Sequence, residues 1–162
     1  MNLDYSHVDV FSQSPFGGNS LPVFLDARGL SAQQMLRITQ ELRHFEAIFL
    51  EQTSRPDTFR ARIFDLFDEL PFAGHPIIGA AAVMHRRSGT YGAQNWLFQL
   101  PGTTVEITTE VTAGHYFGLL DQGEVFVIGF VKRRHAATAR HALVPRCLGL
   151  LQQRAGFRDI LL

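Results

Sequence analysis

Apolar and polar positions largely alternate in "YSHVDVFS", so residues 5–12 are expected to form a strand with one buried face. A loop dense in Pro, Gly and Asn follows at 13–20. "LPVFLD" (21–26) is a second strand, whose Pro22 places its start at an edge or bulge. Ser31, with Gln34 after it, forms a capping box. It opens a helix through about His44, with Met35, Ile38, Leu42 and Phe45 on the inner face. Strands are expected next at 46–52 and 58–67, joined as a hairpin by the polar turn "SRPD".

The pattern changes in "LPFAGHPIIGAAAVM" (70–84). Pro76 fits the first turn of a helix, where its missing N–H does no harm. Ile77, Ile78, Ala80, Ala81, Val83 and Met84 make that helix apolar on most sides, and it should end near "RRSG" (86–89). Small residues at 79–82 would let it lie close to a sheet, so it is expected to be the central buried helix. "WLFQLPG", "TTVEITTE", "YFGLLD" and "EVFVIGFV" read as four further strands. The order β-β-α-β-β-α followed by strands predicts an α+β fold, with a curved mixed or antiparallel sheet around the second helix.

A hydrophobic fraction of 46% and 14 Phe supply a core and exclude wholesale disorder. No apolar run is long and charge-free enough to span a bilayer, so no membrane partner is expected. The N-terminal segment has neither the basic start nor the apolar core of a signal peptide, which makes the cytoplasm the expected location. The single Cys147 excludes an internal disulfide framework and a Cys-rich zinc site. The net charge of zero hides an asymmetry. Residues 1–131 hold 14 acidic and 8 basic side chains, and residues 132–162 hold 7 basic and one acidic. One reading is a non-enzymatic binding protein whose basic tail contacts nucleic acid or an acidic partner. That tail has a single aromatic residue, Phe157, so stacking on single strands is not expected.

Glu46 stands at a helix-to-strand junction between Phe45 and "AIFL". A carboxylate drawn partly out of water has its acid form favoured and is suited to move a proton near neutral pH. The competing reading is a strand residue on the wet face. His75, beside Gly74 and Pro76, lies at or near the start of the buried helix, where free N–H groups and a partial positive charge receive an anion. It is either a ligand group that donates or relays a proton, or a capping histidine. The loop "PFGGN" (15–19), with Gly18 and Asn19, is either a lip over a pocket or a plain turn. No H-E-x-x-H, G-x-S-x-G, P-loop or dinucleotide fingerprint is present, and no metal is expected.

Three segments in the same order and spacing resemble the PhzF-like (phenazine biosynthesis) family of isomerases and epimerases: "HVDVFSQSPFGGNSLPVFL", "MLRITQELRHFEAIFL" and "ARIFDLFDELPFAGHPIIGAAAV". The resemblance covers about 110 residues and implies one lobe of a diaminopimelate-epimerase-like fold. In that fold, two curved sheets each surround a helix and the site lies between the lobes. It implies a cofactor-free enzyme in which Glu46 is the acid/base, as in isomerisation of a dihydro-hydroxyanthranilate. His75 and the Gly74 backbone would orient a small carboxylate-bearing substrate, with Gly18 and Asn19 contributing to its binding. Thiol-using relatives carry Cys where Ala73 stands, so two-thiol chemistry does not carry over.

Two departures bear on function. The family's Phe-Thr-Pro is here Phe64-Asp65-Leu66, and the distal Asp-Pro-x-Thr-Gly loop of the second lobe is absent from this sequence. Residues 1–131 are therefore expected to be an N-terminal lobe. Residues 132–162 are expected to be a basic tail of non-family origin, as in a truncated or frameshifted product, with activity impaired. A homodimer is expected, since an exposed inter-lobe face favours self-association.

Overall fold

The computed structural model describes residues 2–12, 16–120, 147–153 and 160–161. Among them the chain runs β1 (Asn2–Leu3), β2 (Tyr5–Val10), β3 (Asn19–Phe24), α1 (Ala32–Leu42), β4 (Glu46–Gln52), β5 (Thr58–Asp65), β6 (Glu69–Leu70), α2 (Gly74–Ser88), β7 (Gln94–Leu100), β8 (Thr103–Thr112), β9 (His115–Leu120), β10 (Cys147–Gln153) and β11 (Ile160–Leu161). The fold is α+β. The main sheet has the order β4-β3-β2-β10-β9-β8-β7-β5-β6, and β4 also pairs with β5, so the sheet curls round until it meets itself. It is mixed: β3–β4 and β5–β7 are parallel, whereas β2–β3, β4–β5, β7–β8 and β8–β9 are antiparallel.

Helix α2 fills the interior of this curled sheet. Ile77, Ile78, Ala80, Ala81, Ala82 and Val83 are all buried, packed with Val8, Val10, Leu21, Val23, Ile48, Leu50 and Ile63. Each large aliphatic side chain so buried contributes about 1.5–3 kcal/mol. Gly79 sets how deeply the helix sits: a Cβ there would collide with Leu21 and lie 3.0 Å from Val10 Cγ2. The outer face of β3, β4 and β5 is covered by α1. Phe24 stacks on Phe49 at 4.5 Å between ring centroids, Phe64 meets Phe49 edge-on, and Met35 of α1 closes the cluster.

Ser31 and Gln34 form the expected capping box at the start of α1. The helix stops two residues early because Arg43 turns into the left-handed region at φ 54°. That turn removes Phe45 from the helical register, and Phe45 is 78% exposed rather than inward. The first strand likewise ends at Val10, and the strand expected at 58–67 ends at Asp65. Of the basic tail, Cys147–Gln153 form β10, which pairs antiparallel with β2 and β9. The strand expected at 124–131 and the boundary at 131/132 lie outside the described residues. No helix among the described residues is long and apolar enough to cross a membrane.

The registers Glu46↔Asp65, Val10↔Asn19 and Val23↔Ile48 place the start of β4, the end of β5, the start of β3 and the end of β2 at one end of the sheet. The N-terminus of α2 opens there too, and that end is called the mouth.

Gly79→Val is expected to cost roughly 1–3 kcal/mol, because a branched side chain must displace Leu21 and Val10 in a filled core. Urea unfolding checks this, and an unchanged midpoint would mean that α2 does not sit at the depth described.

Candidate active site

Residues of β4 alternate across the sheet, with Ile48 and Leu50 facing α2 and Ala47 and Phe49 facing α1. Glu46 shares the parity of Ile48, so its side chain enters the mouth rather than the solvent-facing surface. It is 15% exposed, and its Oε2 lies 3.1 Å from Nδ1 of His75, which is 14% exposed. The wet-face alternative for Glu46 is thereby excluded. Across the β4–β5 ladder, Asp65 stands directly opposite Glu46.

His75 is the second residue of α2. Its N-cap position is Ala73, which makes no side-chain cap hydrogen bond. The first-turn N–H groups therefore open at the mouth without a cap from the N-cap side chain, and the positive end of the helix dipole is directed at the same place. Glu46 Oε2 and His75 Nε2 are buried with no hydrogen-bond partner among the described residues. The 3.1 Å approach of Glu46 Oε2 to His75 Nδ1 is close without being aligned as a hydrogen bond. Buried polar atoms left unpaired cost about 1–3 kcal/mol each, and such atoms mark places where a ligand completes the bonding.

Burial, and secondarily the charge of Asp65, pushes the Glu46 carboxyl up to about 7. Burial pushes the His75 imidazole down to about 4, and the positive end of α2 acts in the same sense. Near neutral pH the imidazole is therefore neutral, and the carboxyl is divided between acid and base forms. Such a pair can donate a proton or accept one.

The connection that delivers Glu46 is itself anchored. His44 Nδ1 meets Ser20 Oγ at 3.1 Å, Ser20 Oγ meets His7 Nε2 at 2.6 Å, and the two imidazoles pack edge to face at 4.5 Å. This chain ties the residues before β4 to β3 and β2 on the outer face. Sequence reasoning missed it because 37 positions separate His7 from His44 (44 − 7). In the sequence Asp65 stands out only as a departure from Phe-Thr-Pro.

Gly18 and Asn19 also belong to the mouth end. Gly18 is explained by packing, since a Cβ there would collide with the Val10 carbonyl oxygen and sit 2.8 Å from Ser12 Cβ. Asn19 is exposed at the first position of β3. Pro15 of that loop is outside the described residues. Among the described residues no group of three or more His, Cys, Asp or Glu side chains is arranged to hold a metal ion. A concavity of about 320 Å³ on the outer face, lined by Met35, Phe49, Arg60 and Arg62 among others, contains neither Glu46 nor His75.

The family model described as "Phenazine biosynthesis-like protein" matches residues 8–128. An uncharacterised isomerase of Pasteurella multocida is 40% identical over 125 residues, covering 76% of this chain and 42% of its own length. The trans-2,3-dihydro-3-hydroxyanthranilate isomerase of Pseudomonas chlororaphis is 41% identical over 80 residues, which are 49% of this chain and 29% of that one. Among solved structures, a predicted epimerase from Pseudomonas aeruginosa matches with a TM-score of 0.72 and 43% identity, over 75% of this chain and 43% of that chain. A PhzF-family protein from Bacillus anthracis shares the fold at a TM-score of 0.65 and 24% identity, over 74% of this chain and 40% of that one. The chain thus spans less than half the length of these relatives.

Glu46 has a folded-state value above its ordinary 4.5, so its contribution to stability falls as pH rises from about 4.5 to about 7. His75 is shifted oppositely, from 6.5 to about 4, so its contribution rises with pH over the window from about 4 to 6.5, and the two offset each other. Glu46→Gln removes only the first contribution. The variant is expected to match the wild type near pH 5 and to exceed it by about 1–2 kcal/mol at pH 8, allowing for the solvent that still reaches the carboxylate. Urea midpoints at the two pH values check this, and a variant less stable at pH 8 would contradict the burial of Glu46.

Proposed function

The chain belongs to the phenazine biosynthesis-like (PhzF) protein family, and from that premise we propose that its mouth is the proton-transfer half of an isomerase or epimerase site. The substrate is a small carboxylate-bearing metabolite. Its carboxylate docks on the free N–H groups of Gly74 and His75, and Glu46 moves the proton. His75, neutral and 3.1 Å from Glu46, orients the substrate and receives or returns the proton through Nε2. Gly18 and Asn19 form the lip of the site. No organic cofactor or metal takes part, and the cytoplasm is the place of action. The observation that carries this reading is the contact of two buried, unsatisfied, oppositely shifted groups at an uncapped helix start.

Among the described residues one wall of this site is open. The exposed aromatic residues Phe11, Phe16, Phe45 and Phe67 are 46%, 76%, 78% and 83% exposed, and all four lie on the mouth-end loops just described. An apolar rim of this kind marks a surface built to meet another polypeptide. We take residues 1–131 as the body of one lobe of the family's two-lobed enzyme, to whose sheet Cys147–Gln153 of the tail add β10 between β2 and β9, and a second copy as the partner that closes the mouth. Exclusion of water from Glu46, which that wall provides, is what proton transfer at a carbon centre requires.

Two measurements test this. Deuterium taken up from D2O into trans-2,3-dihydro-3-hydroxyanthranilate is expected to fall about 10²-fold or more in Glu46→Gln. Uptake unchanged by that substitution, in a folded variant, would exclude Glu46 as the acid/base. Sedimentation equilibrium is expected to show a dimer that Phe67→Ser and Phe45→Ser together dissociate, whereas a wild-type monomer would rule out self-closure of the site.

A further inference from the structure

Glu46 has two neighbours that bear on where its proton resides, and one of them is His75. The other is Asp65. It pairs with Glu46 in the β4–β5 ladder and has the parity of Ile63, so both carboxyls face inward at the mouth. Directly opposite positions of an antiparallel pair hold their Cβ atoms about 4.5–5.5 Å apart, and like charges there repel. The Asp65 side chain is not free to swing away. Its Oδ1 accepts hydrogen bonds from the backbone N–H groups of Phe67 and Asp68, each at 2.7 Å, and its own N–H donates to the Asp68 carbonyl at 3.0 Å. The turn at 66–68 thus clamps an acceptor-only group beside Glu46.

Other charged groups near this corner are engaged elsewhere. Glu69 is held by Arg62, with Nε donating at 2.7 Å. Asp68 is exposed and donates its N–H to Asp65. Asp9 and His44 belong to the outer face, where Asp9 accepts from the Phe16 N–H at 2.8 Å and His44 meets Ser20. From α2 the facing group is His75.

We propose that Asp65 is a positioning residue for the proton of the site: a clamped anion that keeps the proton on Glu46 and so holds Glu46 ready as the acid. The proposal rests on the proton-transfer reading of Glu46. An ionised Glu46 would place two carboxylates across one strand pair, and a protonated Glu46 removes that repulsion. Asp65 need not touch the substrate to do this. It also makes its side of the mouth unfavourable for the substrate's own carboxylate, which is directed to the helix side instead.

The test is a titration of the Glu46 carboxyl carbon by 13C NMR in the full chain, with the resonance assigned by its loss in Glu46→Gln. The wild-type midpoint is expected near 7. Asp65→Asn and Asp65→Thr are expected to lower it by roughly half a pH unit or more, the size of a unit charge at this separation even in a water-like medium. Asp65→Glu keeps the anion and is expected to hold the midpoint above that of Asp65→Asn. Amide dispersion in each variant confirms folding, and the Thr variant serves if the Asn variant does not fold. A midpoint near 7 that neither neutral substitution moves would overturn the role of Asp65 alone. A wild-type midpoint at the ordinary glutamate value would overturn both this proposal and the proton-transfer reading beneath it.

Discussion

Helix α2 lies inside the curled sheet only because Gly79 presents no side chain to Leu21 and Val10. Close packing at that point fixes the depth of the helix, and the depth fixes what emerges at each end. At the far end, Gly89 closes the helix in the left-handed region after a last turn bearing His85, Arg86 and Arg87. The positive side chains of Arg86 and Arg87 complement the negative end of the dipole. His85 is further held by Thr109, which also accepts from the Trp96 indole, each at 2.8 Å. The near end is left uncapped. Interior packing and one tethered terminus thus determine that the other terminus is presented, with its free N–H groups, beside Glu46.

That placement costs the fold something. A carboxyl and an imidazole are buried against each other without a hydrogen bond, and a second carboxyl stands across the ladder. A sequence selected for stability alone would pair or replace these groups. Their persistence in a corner otherwise built from well-packed aliphatic residues is the signature of a site held ready for a ligand. Burial is the main cause of the opposite shifts of Glu46 and His75, and the charge of Asp65 adds to that of Glu46. Burial disfavours the anion of the first and the cation of the second, and leaves a neutral imidazole beside a carboxyl that is part acid and part base near pH 7.

Much of the scaffold was legible because its signals are local. Ser31 and Gln34 announce α1, Pro76 announces the first turn of α2, and the apolar run 47–50 announces β4. The failures also have local causes. Arg43 enters the left-handed region, which ends the helical period early and sends Phe45 outward to the rim. Which face Glu46 occupies depends on the phase at which β4 begins, and that phase is set by the same turn. The relations between distant residues had no sequence signal: Asp65 opposite Glu46, and Ser20 bridging His7 and His44, exist only once strand registers are fixed. The family resemblance nonetheless singled out Glu46 and His75, and the fold brings those two into contact.

The central claim is that the proton shared at the mouth resides on Glu46 while His75 stays neutral. The 15N shifts of the His75 imidazole, followed from pH 5 to pH 9, report this directly. The account predicts a neutral ring across that whole range, with a small inflection near pH 7 as Glu46 ionises beside it. An imidazolium at pH 7 would show instead a conventional ion pair between His75 and Glu46, and would contradict the account.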